Sequence, residues 1–281
     1  MIEQSAMVER IIRFALEEDL GCGDLTTNAV VEGRAAGNAS LIAREEVVLA
    51  GLPVFERVFS MISPDIEYEN YFSDGDLVPA GAKVCTVTGR LSFILKGERT
   101  ALNFLQRMSG IATLTRQYVK EVESSKARIL DTRKTVPGLR VLDKYAVVAG
   151  GGKNHRYGLF DKILVKDNHK MLCKEGVALS ERIRKLRKRH PDSVIEVEAD
   201  SLQEVKEAVE GGADEILLDN MSPVQLKKAV QIAGKRVWTE ASGNITLKNA
   251  AAIVRTGVNA VSIGALTHSV RAVDISLEIE T

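Results

Sequence analysis

A neutral chain of 281 residues, with 38 Lys and Arg against 38 Asp and Glu, gives no electrostatic reason to expect nucleic acid or an anionic membrane surface as a partner. At 45% hydrophobic residues it can bury a full core, in one large domain or two. No apolar run approaches the ~20 residues of a membrane span. The opening MIEQSAMVER lacks a basic and then apolar leader, and Cys22, Cys85 and Cys173 fit no paired metal-ligand spacing. A cytoplasmic protein with free thiols is expected.

The first predicted element is an amphipathic helix over 5–20, with Met7, Val8, Ile11, Ile12, Ala15 and Leu16 on one stripe and Gly21-Cys22-Gly23 as its stop. An alternating strand pair around 39–50, a helix over 53–62 and a strand over 66–72 follow, which together predict a mixed, strand-rich first domain. The stretch 73–87, SDGDLVPAGAKVCTV, has two turn signals and an alternating strand and predicts a β-hairpin. Its turns are similar to those of biotinyl and lipoyl carriers, but no lysine stands in the carrier setting. Over 98–123 the spacing of Ala101, Leu102, Leu105, Met108, Ala112 and Tyr118 predicts a long helix. Arg99 and Arg107, roughly two turns apart, share a face of it that pattern alone makes solvated.

Residues 129–170 concentrate the chemistry. A short apolar run, Ile129-Leu130, ends in Asp131, Arg133 and Lys134; another, Ile163-Leu164-Val165, ends in Lys166, Asp167, Asn168 and His169. Each reads as a buried strand with a charged tip. Between them, Gly150-Gly151-Gly152 leads into Lys153-Asn154-His155-Arg156. Gathered by the fold, Arg133, Lys134, His155, Arg156 and Lys166 make an anion site, Arg suiting planar carboxylates and phosphates. The bland alternative is a solvated loop whose cations pair with Asp131, Asp143, Asp161 and Asp167.

Strands and helices then alternate. Strands over 194–198, 215–218, 236–239 and 261–263 end in Glu196 and Glu198, in Asp219-Asn220, in Glu240 and Ser242-Gly243-Asn244, and in Gly264-Ala265. The intervening helices open on Ser or Thr and close on Gly. With the two strands of the central stretch this makes six β-to-α units, which predicts a parallel sheet closing into a barrel. The basic helix over 182–189 has no interleaved aromatics and reads as a solvated face.

On one rim the strand ends sort into early cations, middle carboxylates (Glu198, Asp219) and late small loops (242–244 and 262–265). Late loops facing a helix suit a phosphate, paired carboxylates suit Mg2+ and sugar hydroxyls, and the cations suit a second substrate bearing carboxylates. The combination points to glycosyl or phosphoribosyl transfer. A barrel aldolase with Lys166 as Schiff base and a non-enzymatic binder using the basic helix are the alternatives.

The stretch DTRKTVPGLRVLDKYAVVAGGGKNHRYGLFDKILVKDNH resembles the central motif of the quinolinate phosphoribosyltransferase family, and EEDLGCGDLTT, ERTALNFLQRMSGIAT, EVEADS, LLDNMSP, EASGNI and SIGALTHS resemble further family motifs in order. The resemblance implies an α/β fold: a strand-rich α+β N-terminal domain (1–110), joined by the C-terminal tail (268–281), and an incomplete TIM-like α/β barrel (111–267). It implies decarboxylating transfer from phosphoribosyl pyrophosphate to quinolinate in NAD biosynthesis, with Mg2+, in a homodimer or larger homo-oligomer. Quinolinate's carboxylates would meet Arg133, His155, Arg156 and Lys166, with Lys134 close by, and Arg99 would reach the neighbouring subunit's site. Glu198 and Asp219 would bind ribose hydroxyls and metal, making Lys134, Lys166, Glu198 and Asp219 the catalytic set. Ser242, Gly243, Asn244, Ser262, Gly264 and His268 would surround the 5-phosphate; Asn244 stands where the family usually has a second glycine, changing the loop backbone or adding a side-chain donor. A related molybdenum-transport-associated phosphoribosyltransferase-like protein is the nearest rival, and Asn154 and the Lys166-Asp167-Asn168-His169 run favour the quinolinate enzyme.

Overall fold

The computed structural model describes residues 2, 5–31, 35–172 and 176–280; Cys173 lies outside the described residues, while Cys22 and Cys85 are free. The chain gathers into two compact units interleaved in sequence. One holds residues up to Arg116, Thr135–Gly151 and the chain from Ala265 onward; the other holds Gln117–Lys134 and Gly152–Gly264. The first unit thus takes in the segment 135–151 as well as the chain before 117 and the tail.

The first unit contains strands β1 (Ala36–Ala43), β2 (Val47–Val48), β3 (Glu67–Asn70), β4 (Leu77–Val78) and β5 (Lys83–Arg90), and a tail strand β12 (Ile275–Ile279). Four of them form an antiparallel sheet in the order β12-β1-β5-β3. The predicted pairings of neighbours in sequence do not form. Both edges of β1 are occupied, by β5 and β12, so β2 pairs with β4 instead; β5 lies between β1 and β3, which leaves no hairpin over 73–87.

Helices α1 (Ala6–Leu20), α2 (Leu25–Val30), α3 (Leu52–Ile62) and α4 (Leu91–Glu121) complete the element order of this part of the chain. In α1 the buried stripe narrows to Val8, Ile12 and Leu16, four residues apart on one face, and Met7 is exposed. The GDLTT segment is itself helical: Asp24 accepts from the Thr27 amide at 2.9 Å and caps α2. Helix α4 is 31 residues long and starts seven residues before the predicted position, directly after β5. Gly97 sits inside it because α3 passes so close: a Cβ there would lie 2.6 Å from the Phe59 ring.

Arg107 of α4 donates to both carboxylate oxygens of buried Asp143, at 3.0 and 3.1 Å, and to the Thr267 carbonyl at 3.1 Å. The solvated face expected for it is therefore wrong: Asp143 belongs to α5 (Arg140–Ala149), and no helical pattern in α4 reports that α5 packs there. Arg99 keeps 60% of its side chain exposed.

The second unit carries the six predicted strands, β6 (Arg128–Leu130), β7 (Ile163–Val165), β8 (Ile195–Ala199), β9 (Glu215–Asp219), β10 (Trp238–Ser242) and β11 (Ala260–Ser262). They form one parallel sheet in the order β6-β11-β10-β9-β8-β7. Among the described residues no ladder joins β6 to β7, as an incomplete barrel requires. A short helix α6 (Asp167–Met171) follows β7, and α7 (Leu179–Arg189), α8 (Leu202–Gly211), α9 (Pro223–Ala233) and α10 (Leu247–Val254) connect the later strands; α11 (Ala265–His268) leads into the tail. Their starts are written in local chemistry: Ser201 accepts from the Glu204 amide, and Ser222 with Gln225 and Thr246 with Asn249 form capping boxes.

Replacing Gly97 by Ala should improve helix propensity by about 1 kcal/mol and yet destabilise the protein by about 1–3 kcal/mol, because the added methyl meets the fully buried Phe59 ring. Urea denaturation is the measurement; a raised midpoint would mean that the ring moves aside at little cost.

Candidate active site

Successive residues of a strand face opposite ways, and the parallel register aligns the inward set. Leu164 sits beside Glu196, Glu198 beside Leu217, Asp219 beside Ser242, Glu240 beside Ala260 and Ser262 beside Leu130. The other face is apolar, with Ile195, Val197, Ala199, Ile216, Leu218 and Ala241 buried. The carboxylates of β8, β9 and β10 thus share one face because helices cover the other.

At the carboxyl ends of these strands lies a cavity of about 300 Å3. Thr132, Arg133 and Lys134 line it after β6, His155 and Arg156 before β7, and Lys166 and Asp167 after β7. Glu198, Asp219, Glu240, Ser242 and Ser262 complete the polar lining. Residues following both edge strands of the sheet reach one cavity, so the sheet curls around it.

Beneath the cavity is a buried charged cluster. His155 Nε2 lies 3.3 Å from Glu196 Oε2 and 3.6 Å from Glu240 Oε1, and Lys162 Nζ lies 2.8 Å from Glu196 and pairs with Glu215. Local bonds orient the imidazole: the His155 amide donates to Asp131 Oδ1 at 2.8 Å, and the Arg156 amide donates to His155 Nδ1, also at 2.8 Å. With Nδ1 accepting, Nε2 carries the proton aimed at the glutamates. Burial, reinforced by the charge of Glu196, pushes the Glu240 carboxyl up to about 7. Burial acts on Glu196 in the same sense, but His155 and Lys162 outweigh it and hold Glu196 below the ordinary range. Ligand atoms of His155, Glu196 and Glu240 come within 4.8 Å of one another, a grouping that could hold a metal, but Lys162 already supplies a positive charge to it.

The cavity wall has two poles. Burial and the neighbouring Arg133 both disfavour the charged form of Arg156. Burial and the charge of Asp219 raise Glu198, against the pull of Lys166, whose Nζ is 3.8 Å away. Arg156 thus lies against a second cation and Glu198 against a second carboxylate, each repulsion only partly offset by nearby opposite charge.

A family model described as quinolinate phosphoribosyl transferase, N-terminal domain, matches residues 24–109, and one described as its C-terminal domain matches residues 111–278. This chain belongs to the quinolinate phosphoribosyltransferase family. It is 39% identical over 273 residues to the probable nicotinate-nucleotide pyrophosphorylase (carboxylating) of Bacillus subtilis, across 97% of this chain and 93% of that one. It is 42% identical to the mitochondrial quinolinate phosphoribosyltransferase (decarboxylating) 2 of Nicotiana glauca, across 98% of this chain and 82% of that one. The solved nicotinate-nucleotide pyrophosphorylase of Francisella tularensis superimposes with a TM-score of 0.92 at 39% identity, covering 98% of this chain and 96% of that one.

Of the residues singled out in this quinolinate phosphoribosyltransferase family chain, Arg133, Lys134, His155, Arg156, Lys166, Glu198, Asp219, Ser242 and Ser262 line the one cavity. Gly243 and Asn244 follow Ser242 with left-handed φ of 94° and 51°, and Gly264 follows β11. Arg99 and His268 belong to the first unit, where His268 Nδ1 shares a 2.6 Å hydrogen bond with Ser269. Asp161 accepts from the Tyr157 and Gly158 amides, and Asp143 holds Arg107. Sequence reasoning assigned no role to Glu196, Glu240 or Lys162. The signal for Glu196 was its position two residues before Glu198, and hence on the same face.

Because Glu240 holds its proton more tightly folded than unfolded, stability falls as pH rises from the ordinary carboxylate range through about 7. Glu240→Gln should remove that slope, so the variant gains on wild type by up to roughly 3 kcal/mol between pH 4.5 and 7.5. Urea unfolding across that range tests it, and parallel pH profiles would contradict the assignment.

Proposed function

We propose a division of labour among these residues in the reaction of this family, the decarboxylating transfer of a phosphoribosyl group from phosphoribosyl pyrophosphate to quinolinate, which yields nicotinate mononucleotide, pyrophosphate and CO2. The chain is a phosphoribosyltransferase of NAD biosynthesis. The names carboxylating and decarboxylating carried by its relatives describe the two directions of one reaction. The observation that carries the assignment is the polarity of the cavity. Arg133, Arg156, Lys166 and His155, with Lys134 beside them, receive quinolinate's two carboxylates, and binding the dianion relieves the repulsion between Arg133 and Arg156. Glu198 and Asp219 receive the ribose hydroxyls. Ser242 and Ser262, with the glycine-bearing loops after them, offer hydroxyls and amides to the 5-phosphate.

Mg2+ fits the second pole: Glu198 and Asp219 are hard oxygen donors whose mutual repulsion a divalent cation relieves. Held there, the ion supplies positive charge to the pyrophosphate group. As pyrophosphate leaves, the ribose ring becomes positive and the same carboxylates stabilise it. The cationic pole meanwhile keeps the pyridine nitrogen oriented toward the ribose. Attack makes that nitrogen positive, and the ring then accepts the electron pair left when the adjacent carboxylate departs as CO2, after which the ring carbon takes up a proton. The residues supply orientation and charge, with no covalent intermediate on the protein.

A homodimer or larger homo-oligomer in which Arg99 acts in the neighbouring subunit's site is part of the same reading, supported by the exposure of Arg99. So is residence in the cytoplasm, supported by the balanced charge and the free thiols of Cys22 and Cys85; no helix among the described residues is long and apolar enough to cross a membrane.

Nicotinate lacks the second carboxylate and would leave part of the cationic pole unpaired, at a cost of several kcal/mol. Its kcat/KM should be at least about 100-fold below that of quinolinate; equal efficiencies on the two acids would reject the assignment. Arg99→Ala and Lys166→Ala, each inactive alone, should complement when mixed. Random exchange leaves about half the dimers mixed with one intact site each, returning about a quarter of wild-type activity. Differently tagged chains establish the exchange, and mixed dimers as inactive as their parents would rule out action in trans.

A further inference from the structure

Among the described residues two non-glycine positions have positive φ, Asn220 at 52° and Asn244 at 51°. They follow the ends of adjacent strands, and they touch: Asn244 Nδ2 donates to Asn220 Oδ1 at 3.1 Å. Asn220 Nδ2 in turn donates to Asp219 Oδ2 at 2.7 Å, and the Asn220 amide to the Ser242 carbonyl at 2.9 Å. The other end is anchored in α10, where Asn249 accepts from the Thr246 amide and donates to the Asn244 carbonyl at 3.0 Å. Gly243 leaves the space: a side chain there would begin 2.2 Å from Asn220 Oδ1.

The direction of this chain of amides follows from chemistry. The Asp219 carboxylate accepts, so Asn220 must turn its Nδ2 toward it and its Oδ1 away. That Oδ1 then needs a donor. Glycine at 244 would adopt the same backbone and provide none, whereas asparagine tolerates the left-handed conformation and brings the NH2 group.

We infer that Asn220 and Asn244 are positioning residues that hold the Asp219 carboxylate toward the cavity, and that the Asn244 side chain serves this purpose instead of contacting a phosphate. The inference rests on the assignment of Asp219 to phosphoribosyl pyrophosphate. Asn244→Asp keeps the backbone preference and size but sets an acceptor against Asn220 Oδ1. The Asn220 amide must then flip, which turns its oxygen on the Asp219 carboxylate. Asn244→Gly only deletes the donor.

Calorimetric titration with phosphoribosyl pyrophosphate and Mg2+, and separately with quinolinate alone, reads the effect without turnover. Asn244→Asp should weaken phosphoribosyl pyrophosphate binding by about tenfold or more, Asn244→Gly by less, with quinolinate affinity and Tm close to wild type. Placed in an Asp219→Asn background, Asn244→Asp should cause little further loss, since the repulsion it creates needs the charge of Asp219. Wild-type binding by Asn244→Asp, an equal loss for both ligands, or an undiminished loss in the Asp219→Asn background would each overturn the inference. If Asp219→Asn alone binds phosphoribosyl pyrophosphate as wild type does, it is the assignment of Asp219 that fails, and the role of the two asparagines falls with it.

Discussion

The site depends on placing ionised groups on the inner face of a parallel sheet. Glu196 and Glu240 are almost wholly removed from water, and an isolated buried carboxylate is costly. The structure lowers that cost in two ways. Lys162 and the Nε2 proton of His155 are directed at Glu196, while Glu240 takes the neutral form more readily than an ordinary carboxyl. The imidazole that faces the cavity thereby has the glutamates beside Nε2 and the Arg156 amide donating to Nδ1, while Asp131 fixes the His155 backbone amide.

The same face separates into poles as the strands are followed across the sheet. Cations come from segments flanking the two edge strands, β6 and β7, and the carboxylates of Glu198 and Asp219 from β8 and β9. One cavity thus presents two regions of different charge. Glu198 couples the poles, feeling both Asp219 and Lys166, so filling either pole alters the electrostatics of the other.

In the first unit, stability is drawn from contacts distant in sequence. The tail strand pairs with β1 over Ala39–Ala43 and Ile275–Ile279, and Lys83 meets Glu280 at 2.7 Å. The long α4 is held on one side by α3, through Gly97, and on another by Asp143 of α5.

The local patterns of this sequence were enough to determine the six strands of the parallel sheet, the caps of the helices between them, and the cations and carboxylates at the strand ends, because period-two alternation and capping are encoded within a few residues. The motifs likewise carried the family. Only the tertiary structure decided which strands pair in the first unit, since β1 accepts partners more than 40 and more than 230 residues away. It alone decided that Arg107 is bound and not solvated, that α4 runs through Gly97, and that Glu196, Glu240, Lys162 and His155 form one cluster. It also turned Asn244 toward Asn220. Each of these results is a meeting of side chains or edges brought together by the path of the whole chain, and no local propensity reports that path.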